Sequence, residues 1–264
     1  MGKIVENGII GYFDILGYQN FLKNNSIEDC IKIIEKIILE IPTEVKNDYL
    51  NPHEYQDDFL KTIREYFISH LNITFISDTI IFFFDFDTIE KDHISAFLCE
   101  ILFYLMMFTQ LSFEKGFPMR GYIDYGSFYY NNENNKNIIA GETIVKCYLE
   151  TNNFDFSGLV ISDVAYKFCL DFDYFYLNQF FTRKIIDKYL VNTKGSENYK
   201  YVLNTFFGIE KIDLVQFIFE CFHKYNKEIN DDVMKKINNT EKIMRHFIFN
   251  NQLEFNKKIG KGNT

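Results

Sequence analysis

The chain of 264 residues has no tryptophan, three prolines, five cysteines and five histidines, and it carries fewer basic than acidic side chains, for a formal net charge of −9. Each shortage removes a class of protein. An acidic chain is a poor general binder of duplex nucleic acid, because such binders neutralise phosphates with a basic surface. No run of 18 apolar residues occurs; the stretches 80–84 and 101–108 are too short to span a bilayer, so neither a membrane nor a nucleic acid is expected as a partner. The first eight residues lack the basic head and apolar core of a signal peptide, and position six lacks the Ser or Thr that N-myristoylation prefers, so a reducing cytoplasmic location is expected. Cys30, Cys99, Cys147, Cys169 and Cys221 are scattered with no CxxC pair, which argues against a zinc site and against a disulfide framework. The histidines are equally dispersed. Any chemistry falls to carboxylates and basic side chains.

What the chain has in quantity is aromatic: 30 Phe and 18 Tyr. The apolar run 8–16 reads as a buried strand. Residues 27–41 repeat apolar positions at three and four, an amphipathic helix with Ser26 as N-cap and Pro42 just past its end. Residues 43–58 read as irregular and 59–69 as a short helix. Residues 71–86 form two strands around a Ser77-Asp78 turn, the second apolar throughout as a covered strand is. A long helix over 89–114 ends at Gly116 and Pro118. A strand follows over 119–130, then a short strand and a helix from Gly141, a strand over 158–162, a helix over 163–170 and a strand over 199–207. From Asp213 the pattern is helical to about Asn250, with a break near Asn230.

This order is a split β-α-β plan, the ferredoxin-like arrangement, in the α+β class. It predicts a mostly antiparallel sheet with helices on one face and the other face needing a cover, which a second copy could supply. The chain divides into a domain over 1–208, a helical extension over 209–256 that packs on it, and a disordered tail over 257–264.

Asp14 is the most informative residue. It lies between Phe13 and Ile15 inside an apolar strand, where an ionised carboxylate needs a cation, strong hydrogen bonds or a raised pKa. Asp78 poses the same question at the turn of an aromatic hairpin. In a ferredoxin-like sheet the first strand lies beside a strand of that hairpin, which brings Asp14 near Asp78. Two neighbouring carboxylates repel unless a cation sits between them, and magnesium or manganese suits such oxygen donors.

The string Tyr12-Phe13-Asp14-Ile15-Leu16-Gly17-Tyr18 resembles the first metal motif of the class III nucleotide cyclases, and Ile76-Ser77-Asp78-Thr79 the second. Met119 to Gly126 is similar to their next strand, and Gly141 to Glu150 to the helix that reaches the triphosphate. The four motifs stand in the family's order over residues 8–165. The Phe-Asp-Ile-Leu-Gly string, the Ser-Asp turn and the Arg-Gly-x-x-x-x-Gly strand most resemble the bacterial pyrimidine (Pycsar) cyclases of antiphage defence. The resemblance implies an enzyme that converts UTP or CTP to a 3′,5′-cyclic monophosphate, a homodimer with shared sites, two divalent ions (Mg or Mn) per site, and a separate effector that reads the product. It implies Asp14, Asp78 and the Ile15 carbonyl as metal ligands. Leu16 and Gly17 would offer backbone N–H groups to phosphates, Gly17 without a Cβ in the way. Arg120 and Lys146 are candidates for charge stabilisation.

The chain departs from the purine cyclases at two places. Thr74 stands where they carry an adenine-reading Lys, four residues before the second metal aspartate, and by strand parity it shares a face with Asp78. Val145 and Leu149 stand where they carry an Asn and an Arg. Two alternatives remain open: a purine cyclase of the same fold, and a non-catalytic nucleotide-binding module.

Overall fold

A computed structural model describes residues 2–49, 58–131, 138–171, 185–206 and 213–261. Strand β1 (Lys3–Ile15) leads into helices α1 (Tyr18–Asn24), α2 (Ile27–Ile33, extended by a π turn to Ile38), α3 (Ile41–Tyr49) and α4 (Asp58–His70). The hairpin β2 (Asn72–Ile76) and β3 (Thr79–Asp85) follows, then α5 (Lys91–Glu114) and β4 (Met119–Asn131). Next come β5 (Ile138–Ala140), α6 (Glu142–Asn153), β6 (Gly158–Ile161), α7 (Asp163–Asp171), and the hairpin β7 (Ile186–Thr193) and β8 (Ser196–Leu203). Helices α8 (Leu214–His223) and α9 (Asp231–Lys261) close the chain.

The sheet order is β2-β3-β1-β4-β6-β8-β7, with β5 paired to β4. The first four strands have the order and antiparallel sense of the split β-α-β plan. The sheet is nonetheless mixed, because β4 and β6 run parallel. Helices lie on both faces of this α+β fold. Period-two alternation explains how. Ile9 and Phe13 of β1 with Ile80, Phe82 and Phe84 of β3 enter the core shared with α5. Ile10 and Tyr12 with Ile81 and Phe83 enter a second core, on the opposite face. The cover this face needs comes from within the chain: Cys147 of α6 and Ile243 and Phe247 of α9 pack on it. A third cluster, with Leu16, Phe113, Phe206, Ile218, Phe222 and Met244, holds α8 and α9 to the body.

Some expectations are corrected. Pro42 stands in the first turn of α3 rather than beyond a helix end, where its missing N–H costs nothing. The stretch read as irregular after it is therefore helical to Tyr49, and 50–57 lie outside the described residues. Strand β7 had no counterpart in the sequence reading. The last helix runs to Lys261, so 257–261 of the expected tail are helical. Ser26 caps α2 as expected, accepting from the Asp29 N–H at 3.2 Å. Residues 93–114 of α5 are long and apolar enough to cross a membrane, but 72% of the qualifying window is buried inside the protein, where it forms core. All five cysteines are free and buried.

Candidate active site

Asp14 is the next-to-last residue of β1. Its Cα partners are Thr79 on β3 and Arg120 on β4. Cross-strand partners on one face stand within side-chain reach, and here that proximity becomes an ion pair. Arg120 Nε donates to Asp14 Oδ2 at 2.7 Å. The rest of the Arg120 fork serves the end of α6. Nη1 donates to the carbonyls of Asn152 at 3.2 Å and Phe154 at 3.1 Å, and Nη2 donates to Asn152 Oδ1 at 3.0 Å. A guanidinium at a helix C-terminus satisfies orphan carbonyls and opposes the helix dipole. Arg120 is thus a positioning group for Asp14.

The Ser77-Asp78 turn reaches the same place. Ser77 adopts the left-handed conformation (φ 58°), which a two-residue hairpin requires at its first position. The Ile15 N–H then donates to the Asp78 carbonyl at 3.0 Å, so the turn is tied to the end of β1. Burial pushes the Asp14 carboxyl above its ordinary pKa. Attraction and hydrogen bonding from Arg120 oppose that shift, the negative charge of Asp78 adds to it, and the net direction is upward.

Both carboxylates line one cleft of about 600 Å³. Ile15, Leu16, Gly17 and Arg120 line it too, so the sequence-predicted residues at the end of β1 converge with Asp78 and Arg120. Gly17 takes φ 77°, which glycine adopts without strain. One expectation fails at Leu16: its N–H already donates to the Pro118 carbonyl at 2.8 Å and is not available to a phosphate.

Two candidates lie elsewhere. Lys146 pairs with Asp124 at 2.8 Å, and neither lines the cleft. Asp124 is 2% exposed and also accepts from the Ser162 hydroxyl. Lys146 therefore neutralises a buried carboxylate beside α6 and stands outside the cleft of its own chain. Thr74 pairs with Ile81 on the edge strand β2 and is likewise absent from the cleft wall.

The sequence reading missed the cations of the cleft. Lys23 of α1, Lys194 of the β7–β8 turn, Lys227 of the α8–α9 turn and Lys236 of α9 all line it. The charge of Lys194 is felt at Asp14. No local signal marks these lysines, because they meet only when the C-terminal helices fold back. Among the described residues no group of three or more His, Cys, Asp or Glu converges on a metal position.

No protein-family model matches the chain, and no curated protein matches it. Solved structures similar to it include the catalytic core of a rhodopsin-guanylyl cyclase with converted specificity in complex with ATPαS. That likeness is at 13% identity over 77% of this chain and 98% of that one, with a TM-score of 0.49. The guanylate cyclase domain of RhGC from Catenaria anguillulae, in complex with GTP, is similar at 14% identity over 76% and 98%, with a TM-score of 0.47. The adenylyl cyclase CyaB from P. aeruginosa is similar at 15% identity over 76% and 94%, with a TM-score of 0.40.

Proposed function

We propose that the chain is a nucleotide cyclase that converts UTP or CTP to the 3′,5′-cyclic monophosphate and pyrophosphate. It would act as a cytoplasmic homodimer whose product is an antiphage signal read by a separate effector. The observation that carries the cyclase reading is the meeting of Asp14 and Asp78 in a cleft whose other walls hold lysines. The pyrimidine choice rests on the sequence alone, on the motif resemblance and on a Thr74 hydroxyl where purine cyclases carry a cation.

The donor set fits Mg²⁺ or Mn²⁺. Such ions take hard oxygen ligands, and Mg²⁺ in nucleotide sites uses one or two carboxylates and completes its shell with phosphates and water. Asp14, Asp78 and the Ile15 carbonyl would hold them. Bound there, they would acidify the ribose 3′-hydroxyl and neutralise triphosphate charge. In the reaction the 3′-oxygen bonds to the α-phosphorus, its proton passes to solvent, and the bond from the α-phosphorus to the bridging oxygen breaks, releasing pyrophosphate. Arg120 opposes the upward shift that burial imposes on the Asp14 carboxyl and fixes its direction. Lysines around the cleft offset the charge gathering on the leaving pyrophosphate. Thr74 lies outside the cleft of its own chain, so base contact by Thr74 requires the shared sites of a dimer.

The test is incubation with ATP, GTP, CTP and UTP in turn, with Mn²⁺, and mass spectrometry of the products. Cyclic UMP or CMP is expected. Cyclic AMP or GMP alone would replace the pyrimidine reading with the purine one. No cyclic product, with a metal-dependent nucleotide shift in melting temperature, would make the chain a binding module.

A further inference from the structure

Lys227 is 2% exposed, yet it lines the cleft. Its ammonium donates to the Gly116 carbonyl at 2.6 Å and lies 5.5 Å from the Phe117 ring centroid. Among the described residues no carboxylate forms an ion pair with it. A buried ammonium without a counter-charge is costly, and an anion in the cleft removes that cost. Burial accordingly lowers its pKa to about 7.

The backbone is bent to put it there. Tyr225 and Asn226 hold left-handed φ values of 63° and 58°, which side chains other than glycine rarely adopt in succession. Asparagines of α1 and the turn after it hold that bend. Asn24 Nδ2 donates to the Asn226 carbonyl at 3.1 Å, and Asn25 Nδ2 to the Tyr225 carbonyl at 2.8 Å. The Glu228 N–H donates to Asn20 Oδ1 at 2.6 Å. At Gly17 a Cβ would stand 3.3 Å from Lys227 Cδ, so the glycine leaves room for the lysine stem. Strained backbone held by its surroundings is common at working sites.

Lys23, Lys194 and Lys236 line the same cleft, whose acids are Asp14, Asp78, Glu228 and Asp232; Lys236 pairs with Asp232 on its own helix. With Lys227 and Arg120 the lining carries five basic side chains against four acidic ones, in a chain whose net charge is −9. Arg120 cannot do this work, because its donors face Asp14 and the end of α6.

We propose that the α8–α9 turn supplies, from the same chain, a seat for the β- and γ-phosphates of a nucleoside triphosphate, with Lys227 as its buried anchor and Lys23, Lys194 and Lys236 around it. This rests on the nucleoside-triphosphate reading of the cleft and deepens it. The seat reads polyphosphate and ignores the base, so it serves every nucleoside triphosphate alike.

The test is calorimetric titration of the full chain with inorganic tripolyphosphate, without nucleotide and with EDTA present. Wild type binds, with an affinity that falls as salt rises. Lys227→Met weakens binding about 10- to 100-fold, the usual effect of losing a hydrogen bond to a charged group, and Lys236→Gln about 10-fold. Lys188→Gln, on the exposed face of β7 outside the cleft, changes the net charge similarly and leaves the affinity as it was. If Lys227→Met fails to fold by circular dichroism, Lys236→Gln and Lys194→Gln carry the test. Absence of binding by wild type, or wild-type affinity in the folded lysine variants, overturns the seat. Lysine-dependent binding in a chain that makes no cyclic nucleotide would overturn the cyclase reading and leave the seat standing. Cyclase activity with unchanged affinity in the lysine variants would do the reverse.

Discussion

At the scale of single residues, the site is a balance between two neighbouring carboxylates and the cations set beside them. Arg120 supports Asp14 and the end of α6 with one side chain, both largely shielded from water. Removing it by Arg120→Ala leaves Asp14 without its cation and two backbone carbonyls without their donor. We expect a loss of about 3 kcal/mol in urea unfolding, in line with breaking a buried pair from one side. Arg120→Lys keeps the charge and loses the fork, so it should fall between the two. Asp14→Asn retains an acceptor for Arg120 Nε. It should abolish turnover while stability in urea stays within about 1 kcal/mol of wild type; measurable activity in that variant would remove Asp14 from the metal set.

Lys227 gives a pH signature of definite sign. Its folded pKa of about 7 lies below that of an unfolded lysine. Between the two values the unfolded chain binds the extra proton, so stability rises with pH across that window. The charge of Lys224 adds to the downward shift, while the neighbouring Cys221 thiol, which burial pushes up to about 12, stays neutral through the window. Other buried groups titrate as well, among them Glu100, raised to about 8. The informative quantity is therefore wild-type stability minus that of Lys227→Met. It should shift toward wild type from pH 7 to pH 10 by on the order of a few kcal/mol. A flat difference would place the ammonium in water.

At the scale of elements, the motif glycines have packing reasons. Gly121 on β4 faces Phe13 on β1, and a Cβ at Gly121 would stand 2.7 Å from the Phe13 ring. The ring lies over the glycine, and the next residue on β1 is Asp14. Gly121→Ala should cost about 1–3 kcal/mol by overpacking, read from the urea midpoint, and should impair catalysis by displacing the end of β1. β1 and β3 were legible for a related reason: both of their faces are buried, so the apolar pattern is dense. Asp14 and Asp78 were legible because charge inside such a run demands an explanation. Strand β7 was not, because only Ile186 and Val191 of its eight residues are buried and little periodicity shows. The pairing of Lys146 with Asp124 was not legible, because helical spacing does not say which buried carboxylate a lysine will meet across an interface.

At the scale of the whole molecule, the C-terminal helices decide what the cleft is. Sequence periodicity indicated that they pack on the body, but the partners of α9 were invisible, since they lie some 80 residues away along the chain. Lys235 pairs with Asp155 at 2.5 Å, and Asn239 Nδ2 donates to the Asp155 carbonyl at 2.9 Å. The buried Ser157 N–H donates to Thr240 Oγ1 at 2.8 Å. These bonds join α9 to the segment entering β6, next to the α6 end that Arg120 holds. Thr240→Val keeps the shape of a fully buried side chain and deletes the acceptor, leaving the Ser157 N–H unsatisfied at a cost of about 1–3 kcal/mol. If α9 is one cooperative unit with the sheet, the single unfolding transition moves by that amount, and the Ser157 amide loses hydrogen-exchange protection. If the extension is a separate module, the main transition stays in place and a second, weaker one moves instead. The first outcome carries a functional corollary. Lys236 lies one helical turn before Thr240, and its carbonyl accepts the Thr240 hydroxyl at 2.7 Å. Loosening that turn should therefore weaken tripolyphosphate binding in Thr240→Val, although residue 240 does not line the cleft.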